Sequence, residues 1–248
     1  MSHVSRAQAL LSARSPALGR AVLSMAGHVQ RGQVHLDSLP ADWPGPAGLR
    51  NEAPWTAATR RVLDVAFSLA LLTLTLPVLL LLACLVRLDS PGPAFYRQER
   101  VGLHGRGFQL LKFRSMRVDA EAAGPSWAMQ ADPRVTRLGR IMRLTRMDEL
   151  PQLLNVLAGS MSLVGPQPER PCFVTQLAEQ IPHFRERTRV KPGITGWAQV
   201  NHPYGASVED ARARLAYDLY YLRHRSLALD LRILLATVRI VVIQAGAR

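Results

Sequence analysis

Two adjacent carboxylates, Asp148 and Glu149, are the residues of this sequence best suited to chemistry at a phosphate group. Pro151 follows them, and proline is tolerated in a helix only within the first turn. Both acids are therefore predicted to lie at a helix N-terminus, where the helix dipole and free N–H groups stabilise a carboxylate or a phosphate. There one acid could attack phosphorus while its neighbour helps to hold a divalent cation. An acidic N-cap pair without a catalytic role is the alternative, and the dipeptide alone does not decide between them.

Several basic residues and a glycine-rich loop accompany the acidic pair. They are Lys112, Arg114, Arg143 and Lys191, with the loop glycines Gly193 and Gly196. Phosphoryl transfer depends mostly on positioning and on neutralising oxygen charge, which cations and close backbone approach supply. Any one basic cluster could instead be a solvated face. Their joint presence beside an acid pair favours a phosphate site.

Short strands and helices after residue 89 must position these groups. We expect strands over 94–97 and 108–113, on either side of a glycine-containing turn. A helix over 150–157, with leucines at i, i+3, i+4 and i+7, is expected to end at Gly159.

The C-terminal third of the sequence is predicted to be helical. Ser207 is expected to cap a helix that runs to Arg223, and residues 226–242 have the pattern of an interfacial helix. The fold class predicted is α/β (α+β): a small, mostly helical catalytic domain over 89–248. The preceding residues 1–58 are expected to form a partly disordered extension.

An uncharged apolar run of 22 residues from Val65 to Val86 is the most prominent feature before this domain. It is long enough to cross a hydrocarbon core of ~30 Å. Pro77 divides the run and removes a helical hydrogen bond, so we expect a kink there. Both flanks are basic, and basic flanks prefer the cytoplasm. We therefore favour a re-entrant helix over 59–88 that enters and leaves by one membrane face. A straight crossing and a buried core helix are the alternatives.

The charge and the cysteines narrow the class of protein. Lys and Arg outnumber Asp and Glu by 31 to 18, giving a net charge of +13, which points to nucleic acid, an anionic membrane or a phosphorylated substrate. The sequence has neither a long stretch of basic residues interspersed with aromatic residues nor a helix-turn-helix pattern, so nucleic acid is not expected as a partner. Cys84 and Cys172 lack metal-ligand spacing and are expected to be free thiols in a reducing compartment.

Six motifs occur in one order along the chain: SPGPAFYRQERVG, LLKFRSM, DPRVTRLGR, MDELPQLLNVLAGSMSLVGP, KPGITGWAQVN and YDLYYLRHRSLALDLRI. From Arg60 to about Val242 the chain resembles the bacterial sugar transferases, or monotopic phosphoglycosyl transferases. Such an ordered set is far more specific than the acid pair alone. The resemblance is greatest to transferases that start exopolysaccharide assembly on undecaprenyl phosphate.

The resemblance implies a two-step reaction that uses Mg²⁺ on the cytoplasmic face of the bacterial inner membrane. Asp148 would attack the β-phosphate of a UDP-sugar, expel UMP and hold the sugar phosphate covalently. Undecaprenyl phosphate would then take the sugar phosphate. Glu149 would ligate Mg²⁺, and the re-entrant helix would bend at Pro77. A homodimer is possible, and the identity of the sugar stays open.

The resemblance also implies roles for the surrounding residues. Lys112, Arg114, Arg143 and Lys191 would contact phosphates, whereas Gly193, Gly196, Gln199 and Asp218 would shape the nucleotide side. One departure stands out, because Gln167 occupies a position where the family usually has arginine. Arg170 or Lys191 could substitute for it. A catalytically inactive membrane scaffold of the same fold is the alternative function. The segment before the membrane helix is too short for the extra domain of many relatives, so we expect the catalytic part without it.

Overall fold

The computed structural model describes residues 32–34, 36, 39, 53–122, 124, 126–127, 132–202, 205 and 207–243. Most of the predicted N-terminal extension over 1–58, and residues 244–248 of the predicted catalytic domain, lie outside this description. Part of the extension contacts the domain: the Trp197 indole donates to the Gly32 carbonyl at 2.9 Å, and the Val34 amide donates to the Ala216 carbonyl at 3.2 Å.

The described residues form a mixed α/β fold that is mostly helical, as predicted. The helices are α1 Pro54–Asp89, α2 Arg137–Leu144, α3 Gln152–Leu157, α4 Pro171–Gln180, α5 Trp197–Asn201, α6 Val208–His224 and α7 Leu227–Ile243. The strands are β1 Phe95–Val101, β2 Gly107–Phe113, β3 Ser162–Val164 and β4 Gly193–Thr195. Short 3₁₀ turns occur at Leu103–Gly105, Met147–Glu149 and Phe184–Arg189. β1 pairs antiparallel with β2, and β3 pairs parallel with β4.

The β1–β2 hairpin was predicted, but its first strand is longer than the expected 94–97. The reason is that this two-stranded ribbon leaves one face open, so the polar residues after Arg97 continue the strand without an apolar alternation. Phe95 pairs with Phe113 in the register, and their rings stack with centroids 5.1 Å apart. This stack fixes the open end of the hairpin.

Both predicted helix caps are present. The Ser207 hydroxyl accepts a hydrogen bond from the Asp210 amide at 3.0 Å, and α6 extends one residue beyond the predicted Arg223. Gly159 follows α3 with a φ of +84°, the left-handed conformation that ends many helices. The interfacial pattern over 226–242 corresponds closely to α7.

α1 runs as one continuous helix through Pro77. It begins at Pro54, a residue suited to the first helical position, and so starts before the predicted residue 59. Within the part of the chain that the structure describes, α1 is long and apolar enough to cross a membrane.

Two arginines near the N-terminal end of α1 bind it to the rest of the domain. Arg60 Nε lies 2.7 Å from Asp230 Oδ2 of α7, and both side chains are buried. Arg61 donates to two carbonyls at the end of α3, those of Val156 at 2.6 Å and Leu157 at 2.7 Å. Because the last carbonyls of a helix lack partners within it, Arg61 completes α3 from outside.

A carboxylate of α1 makes a second attachment. Asp64 accepts from the Ser162 hydroxyl at 2.8 Å and from the Leu163 amide at 3.0 Å, which joins α1 to β3. The Tyr221 hydroxyl donates to Asp230 at 2.7 Å, so the partner of Arg60 is itself held by α6. Three elements of the domain therefore contact the start of α1.

The C-terminal end of α1 packs against a different part of the same domain. Leu82 and Val86 form an apolar cluster with Ala94, Phe113 and Met142, all of them buried. Between the two attachments, residues 69–81 are mostly exposed. Residues near both ends of α1 thus contact the same domain, whereas most of the residues between them do not.

Candidate active site

A pocket of about 550 Å³ opens beside the hairpin. Its walls come from β1, β2, the 3₁₀ turn Met147–Glu149 and the segment 167–173. Seven of the predicted site residues line it: Lys112, Arg114, Arg143, Asp148, Glu149, Gly193 and Gln199. The structure therefore brings the acid pair and most of the predicted cations together, although they are far apart in sequence.

The acid pair lies in a 3₁₀ turn and not at the N-terminus of a helix, so this part of the sequence interpretation is wrong. Pro151 has no N–H with which to bond the Met147 carbonyl, and the Leu150 amide bonds that carbonyl instead at 3.3 Å. α3 consequently begins at Gln152, after the acids. Arg146, immediately before the turn, has a φ of +59°.

The two acids differ in environment. Asp148 is only 6% exposed, whereas the Glu149 side chain is about a fifth exposed, at 21%. Burial raises the pKa of Glu149, and the negative charge of Asp148 raises it further. Arg146, with its Nη1 at 3.8 Å from Glu149, opposes this rise. A cation or a positively charged group placed between the carboxylates would relieve their repulsion.

Two cations face the acids across the pocket. Burial lowers the pKa of Lys112, the charge of Arg100 lowers it further, and Asp148 opposes the shift. Burial also lowers the pKa of Arg143, again opposed by Asp148. Arg143 is oriented by its Nε, which donates to the Ser115 hydroxyl at 2.9 Å. Both charged groups lose hydration in the pocket. Charge-assisted hydrogen bonds to phosphate oxygens would replace that hydration, so both side chains are suited to binding phosphate.

Arg114 lines the pocket, but its guanidinium is engaged elsewhere. It donates to the carbonyls of Ser90 at 2.7 Å and Val86 at 3.3 Å, and also to that of Pro91. These carbonyls lie at and just beyond the end of α1, where backbone acceptors lack helical partners. Arg114, which directly follows β2, thus connects the end of α1 to the hairpin at the edge of the site.

Three predicted site residues do not line the pocket: Lys191, Gly196 and Asp218. Asp218 is buried and lies 2.7 Å from Arg187, and burial, opposed by Arg187, raises its pKa. A side chain on Gly196 would overlap the Gly165 carbonyl oxygen, so this glycine is needed for close backbone packing. Lys191 lies near Arg61, at the N-terminal end of α1.

Gln167, the departure from the family pattern, accepts a hydrogen bond from Arg214 at 2.7 Å. Both residues line the pocket. Of the two cations considered as substitutes for the missing arginine, Arg170 lines the pocket but forms a bidentate pair with Glu121 at 2.7 and 3.1 Å. The buried Arg214 is therefore the cation that bonds the Gln167 side chain, and sequence reasoning missed it because the two residues are 47 positions apart.

Other pocket residues were also missed. They include Tyr96, Arg100, Trp127 and Arg134. Arg134 forms an ion pair of 2.6 Å with the buried Asp132. Tyr96 and Arg100, both in the motif SPGPAFYRQERVG, are four positions apart in β1. Because side chains two or four positions apart point to the same face of a strand, a predicted strand that reached Val101 would have placed both on one face.

The two acids are the groups that could hold a divalent cation. No cluster of three or more His, Cys, Asp or Glu side chains suited to a metal occurs among the residues the structure covers. Mg²⁺ is commonly bound through one or two carboxylates together with substrate phosphates and water. A carboxylate pair beside a cationic pocket fits that mode.

Gly139→Ala is expected to destabilise the protein. An added methyl group would overlap the Ser115 carbonyl oxygen, pushing α2 away from the residue that orients Arg143. We expect a loss of roughly 1–3 kcal/mol from this overpacking. Helix propensity alone predicts the opposite sign, since alanine is favoured over glycine within a helix. Thermal unfolding distinguishes the two, and a raised Tm would contradict the close contact.

A carboxylate pair and several cations in a pocket beside a long apolar helix are the features of a membrane-associated protein with a pocket suited to phosphate groups. The chain belongs to the bacterial sugar transferase family, whose model matches residues 55–244.

Several characterised proteins are similar to the chain. It is 40% identical over 225 residues to the UDP-N-acetylgalactosamine-undecaprenyl-phosphate N-acetylgalactosaminephosphotransferase of Aeromonas hydrophila, covering 91% of this chain and 51% of that protein. It is 46% identical over 181 residues to the UDP-glucose:undecaprenyl-phosphate glucose-1-phosphate transferase of Caulobacter vibrioides, covering 72% and 68%. It is 41% identical over 189 residues to the exopolysaccharide production protein PSS of Rhizobium leguminosarum bv. phaseoli, covering 72% and 92%. The chain thus spans about half the length of the Aeromonas relative.

Proposed function

We propose that this protein transfers a sugar-1-phosphate from a UDP-sugar to undecaprenyl phosphate, which starts the synthesis of an exopolysaccharide or glycoconjugate. The observation that supports this most is the pocket in which Asp148 and Glu149 face the half-buried cations Lys112 and Arg143. The names of the Aeromonas and Caulobacter relatives state the same acceptor and reaction with different sugars. The sugar of this chain is left to experiment.

Asp148 is the nucleophile of the proposed reaction. One of its carboxylate oxygens attacks the phosphorus that bears the sugar, the bond from that phosphorus to the bridging oxygen breaks, and UMP leaves with that oxygen. A phosphate oxygen of undecaprenyl phosphate then attacks the same phosphorus. The bond to Asp148 breaks, which regenerates the carboxylate and yields the diphosphate-linked sugar. Lys112 and Arg143 neutralise the phosphate oxygens in both steps.

Glu149 is the residue that would hold Mg²⁺, together with phosphate oxygens of the substrate. When bound, the ion supplies positive charge for the diphosphate and its leaving group. The raised pKa of Glu149 fits this role, because a half-buried carboxylate beside a second one gains more from a nearby cation than a solvated carboxylate does.

The proposed location is the bacterial inner membrane, with the domain on the cytoplasmic face and α1 re-entrant. The support comes from the attachment of both ends of α1, through Arg60 and Asp64 at one end and Val86 at the other. A straight span would place these two ends on opposite faces, where one domain could not contact both. Exposed apolar residues between the attachments suit a hydrocarbon surrounding.

UMP release tests the proposed function. The full chain, extracted with membrane lipid, is incubated with Mg²⁺ and a panel of UDP-sugars, with and without undecaprenyl phosphate. We expect sustained UMP release from one sugar only when the lipid acceptor is present. If a folded, membrane-bound protein releases no UMP from any sugar of the panel, the proposal is wrong.

A further inference from the structure

Two basic side chains, Arg61 and Lys191, meet at the N-terminal end of α1, outside the pocket, and the charge of a third, Arg225, acts on Lys191. A β-carbon built on Gly159 would lie 3.6 Å from Arg61 Nη2 and 3.8 Å from Lys191 Nζ, so these two cations flank the same glycine. Burial lowers the pKa of Lys191, and the charges of Arg61 and Arg225 lower it further. Arg61, Lys191 and Arg225 are called the basal cluster below.

The basal cluster has more positive than negative charge. Asp64 is the carboxylate that acts on Lys191, but its oxygens already accept from Ser162 and Leu163. Within the described ranges the Lys191 ammonium has neither an ion pair nor a hydrogen bond. The hydrogen bonds from Arg61 to α3 go to carbonyl oxygens, so Asp64 is the carboxylate that acts on both Arg61 and Lys191. An anion is therefore the group that the cluster lacks.

The cluster lies where the apolar part of α1 leaves the domain. Val62 and Phe67, on the turns next to Arg61, are more than half exposed at 67% and 57%. Trp55 is exposed at 69% near the beginning of the helix, and tryptophan favours the boundary between lipid and water. An anion that reaches Lys191 from this side is at the depth of lipid headgroups.

We propose that the basal cluster binds the phosphate of an anionic phospholipid headgroup. The ammonium and guanidinium groups would donate charge-assisted hydrogen bonds to its oxygens, while the acyl chains lie along the exposed apolar residues of α1. Arg61 also completes the end of α3, the helix that follows the acid pair. The bound lipid therefore stabilises the position of α1 and, through Arg61, that of α3.

Thermal unfolding of the full chain in lipid nanodiscs tests this site. One set of discs contains phosphatidylcholine alone, and the other an equal mixture of phosphatidylcholine and phosphatidylglycerol. We expect a higher Tm in the anionic discs for the native protein. Lys191→Gln should lose more than half of that shift, whereas Lys191→Arg should retain it. Arg106→Gln is the matched control, because it removes one positive charge from the exposed β1–β2 turn.

Two results would overturn the proposal. One is that Lys191→Gln keeps the full anionic shift, even if its Tm falls equally in both kinds of disc, which would mark a merely structural lysine. The other is that inorganic phosphate in phosphatidylcholine discs reproduces the stabilisation, which would assign the site to a soluble anion. If Lys191→Gln does not fold, Arg225→Gln replaces it in the same comparison. None of these measurements needs turnover, so their outcome is independent of the proposed transfer reaction.

Discussion

Asp148→Asn is expected to abolish sugar phosphate transfer, with a fall in turnover of at least about a thousandfold, because removing a covalent nucleophile leaves only binding and positioning. The substitution keeps the size of the side chain, which is only 6% exposed in its 3₁₀ turn. The pocket should therefore stay intact. An amide oxygen carries no negative charge and does not form the covalent intermediate.

Mass spectrometry without the lipid acceptor separates this role from a binding role. The native protein should gain the mass of one sugar phosphate after incubation with its UDP-sugar, and Asp148→Asn should gain none. Asp119→Asn, which makes the same chemical change at an exposed position, should behave as the native protein does. A covalent sugar phosphate on Asp148→Asn would move the nucleophile to another residue, with Glu149 as the first to examine.

Local patterns in the sequence predicted much of the fold. The hairpin, the helix caps at Ser207 and Gly159, and the apolar helix are each encoded by neighbouring residues. The position of the acid pair was predicted less well. Pro151 does interrupt the helix, but whether the residues before it form a first helical turn or a separate 3₁₀ turn depends on the backbone at Arg146, with its φ of +59°.

Seven of the predicted site residues line the pocket, but the partners that engage each side chain depend on contacts between distant parts of the chain. The two-residue spacing of Lys112 and Arg114 predicts one shared strand face, but Arg114 lies just after β2 and caps the end of α1, whereas Lys112 faces the acids. No spacing rule distinguishes them, because the carbonyls that engage Arg114 belong to a segment more than 20 positions away. Asp218 illustrates the same limit, since its burial against Arg187 follows from packing and not from its motif.

Asp230→Ala is expected to lower the free energy of unfolding by about 3–5 kcal/mol, the usual cost of removing one partner from a buried ion pair. The carboxylate accepts from Arg60 and from the Tyr221 hydroxyl, each at 2.7 Å, so its loss leaves a buried charge and a buried hydroxyl without this acceptor. For a chain of this size each kcal/mol corresponds to roughly 2–4 °C in Tm. Glu179→Ala, on the exposed side of α4, is the control and should change Tm little.

The double variant Arg60→Met with Asp230→Leu separates stability from orientation. Replacing both members of a buried pair by apolar residues of similar volume is often neutral for stability. We therefore expect the double variant to recover most of the Tm lost in Asp230→Ala. Arg60 and Asp230 join α1 to α7, and if their pairing also sets how α1 meets the domain, UMP release by the recovered variant should remain below the native level. Full recovery of both Tm and UMP release would show that apolar packing alone suffices at this junction, whereas a Tm unchanged in Asp230→Ala would contradict the buried pair itself.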